Sequence, residues 1–299
     1  MKSPEDKDEA FRRRNSRDEE EPKDSLLEQR PHILDQLKPD YSWIKFFQNS
    51  HPGWEFLQFD SIPWTPLRKN VSSCKVAYIS FAGVYAAGQK PFHTSPGPVP
   101  DKLRRWRFKT PGDPTFREIR RDIDPADLAI SQSQFDPADA GEDINCVFPA
   151  ERLTELNEEN LFGSLCDVHF SFLGNVPDTA WMEGGPAGVI ADRLHKEEVD
   201  IVFLSPGCIL SHQNLALLQR YLEASGLVTV SITLCSDITL QIGTPRSLLL
   251  HFPLGNVFGA PLDKMTQARI IQDVFSSLEE FEEPGEIIEL PYAWTIHPV

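Results

Sequence analysis

Residues 199–234, VDIVFLSPGCILSHQNLALLQRYLEASGLVTVSITL, decide the fold of this chain. The run Val199–Leu204 is almost entirely apolar, which is typical of a strand covered on both faces, as in a parallel sheet. A helix is predicted over Ser211–Ser225, begun by Ser211 or an earlier capping residue and ended by a glycine. A second strand follows over Val228–Leu234. Strand, helix and strand form one crossover unit, which we expect to be right-handed.

Similar patterns extend on both sides of this unit. They predict strands at Lys75–Phe81 and Leu248–Phe252, and helices at Ala150–Leu161, Ala187–Glu198 and Asp263–Leu278. The alternation predicts an α/β fold with a mostly parallel sheet, flanking helices and repeated strand-loop-helix units. The proline-rich, charged stretch 91–125 is predicted to be a long excursion over the surface.

Three segments differ in composition. Residues 1–30 mix both signs of charge with few apolar residues, which predicts a disordered N-terminal tail. Residues 31–66 form an aromatic-rich arm, here called the aromatic arm, which is expected either to pack on the main domain or to provide a cage for a cation. Residues 67–299 are predicted to be the α/β domain.

Charge and cysteine content exclude several classes of protein. The 299 residues carry a formal net charge of −16, which argues against nucleic acid or an anionic membrane as the main partner. No run approaches the roughly 20 apolar residues of a membrane-spanning helix, and no secretory signal begins the chain, so a cytoplasmic protein is expected. Five cysteines without paired spacing are expected to be thiols. The basic stretch 102–109 is either an anion or partner contact or a solvated turn.

Cys208 is the candidate nucleophile. In open α/β sheets, ligands bind at the carboxyl ends of the strands, and Cys208 follows a strand and opens a helix there. The backbone N–H groups and positive dipole end of a helix N-terminus stabilise a thiolate over a thiol. His212 is close enough in sequence to assist proton transfer. The alternative is that Cys208 is a small buried apolar residue, which is also the simpler interpretation of Cys235.

Other candidates come from neighbouring segments. His169, in a stretch with strand-like alternation, is either an acid or base or a packing residue. Arg246 is a candidate to bind a substrate carboxylate, or else a structural arginine, and Asp237 lies in the same region. Cys166 has no paired metal-ligand spacing around it, so no metal is predicted. The glycines form neither GxGxxG nor a P-loop, which argues against nucleotide binding, and no cofactor is predicted.

Three blocks in order carry a resemblance to a known family. They are VFPAERLTELNEENLFGSLCDVHFSFLG (147–174), DIVFLSPGCILSHQNLALLQRYLEASGLVTVSITLCSDIT (200–239) and IGTPRSLLLHFPLGNVFGAP (242–261). Together they resemble the selenoprotein B subunits of glycine, sarcosine and betaine reductases and the related D-proline reductase subunit, over roughly residues 67–295. The chain looks like a cysteine-containing relative without selenocysteine.

The resemblance implies positions and a mechanism. In that family a selenocysteine or cysteine opens the helix, often as the first member of a U/CxxC pair, and Cys208 matches that position. The selenolate displaces the amino group from the substrate's α-carbon, which a pyruvoyl-bearing partner subunit activates. Ser211 stands at the second position of the pair, so another cysteine or an external thiol must resolve the product. The family's histidine-containing segment is replaced here by 131–136, SQSQFD.

Three hypotheses follow. The first is a reductase-like oxidoreductase that uses the Cys208 thiolate for C–N or C–X cleavage on a small carboxylate-bearing or amine substrate. Arg246, Asp237 and Ser211 would lie around that substrate, and partner reductase subunits or an external thiol would supply electrons. The second is a catalytically degenerate binding or assembly subunit. The third is a racemase-type isomerase that pairs Cys208 with Cys74 or Cys235.

Overall fold

The computed structural model describes residues 36–131, 134–183 and 185–294. Its strands are β1 (Lys75–Ser80), β2 (Val84–Ala86), β3 (Phe116–Arg120), β4 (Leu128–Ile130), β5 (Ser164–Leu165), β6 (Val168–Phe172), β7 (Ile201–Ser205), β8 (Val228–Thr233), β9 (Arg246–His251) and β10 (Glu286–Ala293). Its helices are α1 (Trp43–Ser50), α2 (Asp101–Arg104), α3 (Ala138–Glu142), α4 (Ala150–Glu158), α5 (Ala180–Glu183), α6 (Pro186–Lys196), α7 (Ile209–Ala224), α8 (Ser236–Ile242) and α9 (Lys264–Ser276). The predicted tail, residues 1–30, lies outside the described residues.

One sheet organises the domain. Its strand order is β10-β9-β8-β7-β1-β6-β3, and β5 adds to β1. All these pairs are parallel except that β3 runs antiparallel to β6. Strands β2 and β4 form a separate antiparallel ribbon. The prediction of an α/β fold with a mostly parallel sheet and flanking helices is therefore confirmed.

Alternation along the strands builds two apolar layers. Tyr78 and Phe203 face one layer, which contains the buried faces of α4 and α9. Ile79 and Leu204 face the other, which contains α6 and α7. Every residue of β7 is buried, which explains the continuous apolar run from which this strand was predicted.

Two local differences from the sequence prediction have clear causes. Helix α4 ends at Glu158 rather than Leu161, because Asn160 adopts a left-handed φ of 63° and stops the helix. Strand β3 lies inside the stretch predicted to be a surface excursion. It is an edge strand whose burial is complete only at Ile119, so its sequence lacks the apolar run of the central strands.

The described part of the aromatic arm packs on helices α7 and α8. Trp43, Phe47, Trp54 and Phe56 are buried in a cluster with apolar residues of both helices. Edge-to-face ring contacts join Trp54 to Phe56 and to Phe108 of the following segment. The arm therefore covers the side of the sheet on which the parallel strands end, near the start of α7. This side is called the carboxyl edge, and the side on which the strands begin is called the amino edge.

Candidate active site

The connections of the sheet diverge at the carboxyl ends of β1 and β7. From β1 the chain passes through β2, α2, β3, β4 and α3 before it reaches α4 on one face, whereas β7 leads directly into α7 on the other face. Connections that leave neighbouring strands for opposite faces create a ligand-binding crevice in α/β sheets. Here the turns approach each other closely. A Cβ added at Gly207 would lie 2.5 Å from the carbonyl oxygen of Phe81, and one at Gly174 would lie 2.6 Å from the same atom. Glycine is therefore required at both positions.

Cys208 lies directly after this contact, as the N-cap residue of α7. Its side chain is 1% exposed. The Oγ of Ser211 accepts hydrogen bonds from Gly207 N at 2.8 Å and Cys208 N at 2.9 Å, and it donates to Cys208 O at 2.6 Å. Ser211 thus stabilises the turn that holds the cysteine, as the reach-back residue of a capping box.

His212 joins the turn after β7 to the turn after β8. Its Nδ1 lies 2.9 Å from Cys208 O, and its Nε2 lies 3.1 Å from Leu234 N. Because a carbonyl only accepts and an amide only donates, Nδ1 carries the proton and Nε2 accepts. Burial lowers the pKa of His212 to about 4. The ring is therefore neutral, and both its nitrogens are bonded to backbone groups.

Cys235 occupies the corresponding place after β8, as the N-cap residue of α8. It is fully buried in the same apolar cluster as Cys208. Burial raises the pKa of the Cys235 thiol well above its ordinary value, and negative charge at Asp237 and at Cys208 acts in the same direction. The two thiols thus share one buried cluster at the starts of neighbouring helices.

Asp237 holds the aromatic arm over these thiols. Its Oδ2 accepts hydrogen bonds from Ser42 Oγ and Ile44 N, both at 3.0 Å, at the start of α1. Two glutamines also bind the arm. Gln213 of α7 accepts from Leu57 N at 3.0 Å, and Gln241 of α8 donates to Phe56 O at 2.7 Å. No sequence signal pointed to these glutamines, because their partners are distant carbonyl and amide groups of the backbone.

Arg246 lies away from Cys208, because it begins β9 at the amino edge of the sheet. Its guanidinium forms a buried ion pair with Glu223 and donates to Thr65 O at 2.7 Å. It also stacks 3.5 Å from the ring centroid of Trp64. Arg246 does bind a carboxylate, but that carboxylate belongs to α7 of its own chain. The spacing of 23 residues between Glu223 and Arg246 gave no local signal for this pair.

His169 lies on β6 and faces the layer that contains α4. Its ring contacts Tyr78 and Phe148 at centroid distances of 5.7 and 5.9 Å. Neither ring nitrogen has a hydrogen-bond partner among the described residues, and the same is true of Ser171 Oγ two positions further on. Burial lowers the pKa of His169 to about 3. The structure thus places His169 on the opposite side of the sheet from α7.

Within the described ranges, no group of three or more His, Cys, Asp or Glu side chains is arranged to hold a metal ion. No helix of the described residues is long and apolar enough to cross a membrane. The basic stretch 102–109 borders a cleft of about 390 Å³ lined by residues 96–99 with Arg104, Phe108 and Lys109.

Fold and site together define the class of protein: an α/β protein with a buried cysteine at the start of the helix that follows a central parallel strand. The chain is 30% identical over 231 residues to the D-proline reductase subunit gamma of Acetoanaerobium sticklandii, which covers 77% of this chain and 89% of that relative. It therefore belongs to the selenoprotein B family of glycine and D-proline reductases.

More distant relatives agree with this assignment. The glycine reductase complex component B subunit gamma of Symbiobacterium thermophilum is 25% identical over 76% of this chain, and that of Carboxydothermus hydrogenoformans is 22% identical over 74%. The chain spans about half the length of these two glycine reductase subunits. No protein-family model and no solved structure matches the chain.

Proposed function

We propose that this chain is a thiol-dependent reductase subunit in which Cys208 attacks a small carboxylate-bearing substrate. The observation that carries the proposal is the position of Cys208, at the N-cap of α7 beside the point where the sheet connections diverge. Ligands of α/β sheets bind at such points, and helix N-termini favour thiolate over thiol. Membership of a reductase family supports the same assignment.

The proposed step is a nucleophilic displacement. The Cys208 thiolate forms a C–S bond to the α-carbon, while the C–N or C–X bond breaks and its electron pair leaves with the amine or the group X. A second thiolate then attacks the Cys208 sulfur: an S–S bond forms, the C–S bond breaks, and the carbon fragment leaves as a carbanion that takes up a proton. That thiol is supplied by a partner reductase subunit, by a soluble thiol in the cytoplasm, or by this chain itself, and an external thiol reduces the resulting disulfide. Because Cys208 is 1% exposed, the proposal requires the aromatic arm to move before substrate reaches the sulfur.

Alkylation of the full chain tests the nucleophile. Iodoacetamide is added at mildly acidic pH and labelling of each cysteine is followed by mass spectrometry. We expect Cys208 to label faster than the other four cysteines. Burial raises the pKa of Cys74 to about 11 and that of Cys166 to about 12, so these two thiols are internal references. Labelling of Cys208 no faster than that of Cys166 in the folded chain would refute the proposal.

A second reagent tests the substrate class. Iodoacetate carries a carboxylate, whereas iodoacetamide of nearly the same size does not. A carboxylate site beside Cys208 should raise the ratio of the iodoacetate rate to the iodoacetamide rate above the ratio measured for glutathione. An equal or lower ratio would argue that the site does not recognise a carboxylate.

A binding or assembly subunit is the second candidate. It is favoured by the engagement of three predicted site residues in internal bonds: Ser211 with the turn, His212 with two backbone groups, and Arg246 with Glu223. This candidate predicts no covalent substrate adduct on Cys208 when glycine, sarcosine, betaine or D-proline is incubated with the chain and the partner subunits of a homologous reductase. Detection of an adduct that the Cys208→Ser variant lacks would favour the enzyme.

A further inference from the structure

Cys208 and Cys235 hold equivalent positions in neighbouring strand-helix units. In the register of β7 with β8, Leu204 lies opposite Ser231, and each cysteine follows its member of this pair by four residues. Each is also the N-cap residue of the next helix. Neighbouring strands lie about 4.8 Å apart. Both cysteines lie just beyond the carboxyl ends of these strands. A disulfide needs a Cα–Cα separation of about 4.4–6.8 Å, so the pair requires the two turns to keep close to the spacing of the strands that lead into them.

One side chain, His212, bridges the two turns. The Cys208 carbonyl and the Leu234 amide bond to opposite nitrogens of the His212 ring, at 2.9 and 3.1 Å. On the β8 side, Cys235 N donates to Thr233 Oγ1 at 3.1 Å, and that hydroxyl is bonded to Thr239 at 2.7 Å. These bonds fix the backbone on both sides of the thiol pair.

The two thiols also share one environment. Both belong to the apolar cluster that the aromatic arm covers. Cys74 and Cys146 lie in the layer beneath α4 and α9, and Cys166 lies in the layer with α6. All five cysteines of the described structure are thiols rather than disulfides. Movement of the arm that exposes Cys208 would therefore expose the surroundings of Cys235 as well.

We propose that Cys208 and Cys235 form a reversible disulfide, with Cys235 as the resolving thiol that Ser211 cannot be. The inference deepens the proposed function, since it names the group that resolves the Cys208 adduct. With a small disulfide as the oxidant, the Cys208 thiolate attacks one sulfur to give a mixed disulfide and releases one thiolate. Cys235 then loses its proton to that thiolate and attacks the Cys208 sulfur, releasing the second thiolate, which takes up the proton that Cys208 had lost to solvent. Two protein thiols and one small disulfide thus give one protein disulfide and two small thiols.

Oxidation of the full chain with glutathione disulfide tests the pair directly. The reduced protein is incubated with the oxidant, remaining thiols are blocked with N-ethylmaleimide, and peptides are mapped without reduction. We expect a Cys208–Cys235 linked peptide as the main product. In Cys235→Ser the same treatment should leave Cys208 as a stable glutathione adduct, and Cys166→Ser is the matched control that should behave like the parent. Circular dichroism checks that each variant remains folded.

The outcomes separate this inference from the proposed function. A linked peptide in a chain that forms no substrate adduct supports the pair and contradicts the reductase. A glutathione adduct that persists on Cys208 in the parent chain, as in Cys235→Ser, overturns the pair but leaves Cys208 as a nucleophile. Absence of both products in the folded chain, or a linkage that forms only in denaturant, also overturns the pair.

Discussion

The aromatic arm contacts the sheet both where the parallel strands begin, at the amino edge, and where they end, at the carboxyl edge. The residues that it covers are charged at the amino edge and mainly apolar at the carboxyl edge. At the amino edge, Trp64 and Thr65 meet Arg246, whose charge is matched by buried Glu223. At the carboxyl edge, α1 and the rings that follow it cover two thiols with mainly apolar contacts. Buried charges must be paired, whereas a buried thiol is tolerated without a partner of opposite charge. The charged residues at the amino edge therefore stabilise the fold by pairing with each other, whereas the thiols at the carboxyl edge need no such charge pairing.

Removal of the Arg246 charge should have the largest effect. The Arg246→Met variant leaves Glu223 as an unpaired buried carboxylate, which typically costs about 3–5 kcal/mol of unfolding free energy. Urea-induced unfolding measures this loss. The control is Arg193→Met, which breaks an ion pair with Glu197 at the protein surface and is expected to change stability little. Equal effects of the two substitutions would show that the buried Arg246–Glu223 pair stabilises the fold no more than a surface pair does.

Acid should weaken the fold through two buried histidines, one on each side of the sheet. The pKa of His212 is lowered to about 4 and that of His169 to about 3, both by burial. The unfolded chain therefore binds these protons first, near pH 6.5, and the stability present above that pH is lost as pH falls. At pH 5 the loss is about 2 kcal/mol for each histidine.

Variants assign this pH dependence. His169→Phe should remove about half of the loss between pH 6.5 and pH 5, because it replaces a ring whose nitrogens lack described partners with one of similar shape. The exposed Val189 of α6 provides the control Val189→Thr, which adds and removes no titratable group and should leave the pH dependence unchanged. Chemical denaturation at each pH measures both. If stability depends on pH in His169→Phe as it does in the parent, His169 binds a proton as readily in the folded chain as in the unfolded chain.

Sequence patterns predicted the fold well because its central strands carry a local signal. The apolar run of β7 and the glycine after α7 each reflect burial or backbone conformation at neighbouring positions. The position of Cys208 at a helix start followed from the same local logic. Local patterns could not predict the structural roles of Arg246, Asp237 and His212, because the partners of these residues lie on other elements of the fold. Long-range pairing of this kind leaves no periodicity in a single sequence.

Ser211 tests how firmly the carboxyl-edge turn is held. In Ser211→Ala, the buried amides of Gly207 and Cys208 lose their shared acceptor, which should cost roughly 1.5 kcal/mol. Urea-induced unfolding measures the cost, and Ser225→Ala, an exposed serine at the other end of α7, is the matched control. A loss no larger than that of the control would show that the turn does not depend on the Ser211 hydroxyl.

Asp237 should show the smallest change in stability and the most direct link to reactivity. Asp237→Asn weakens two hydrogen bonds to the start of α1, with an expected cost of about 1 kcal/mol. If the substitution lowers the free energy of arm opening by that full amount, the open population and the rate of Cys208 alkylation should rise by roughly fivefold. Asp263→Asn makes the same chemical change at the N-cap of α9, where the carboxylate accepts from Thr266 N instead of from the arm, and it should leave the alkylation rate unchanged. Equal acceleration in both variants would mean that Cys208 becomes exposed by general unfolding, and the arm would then be a fixed part of the core at both edges of the sheet.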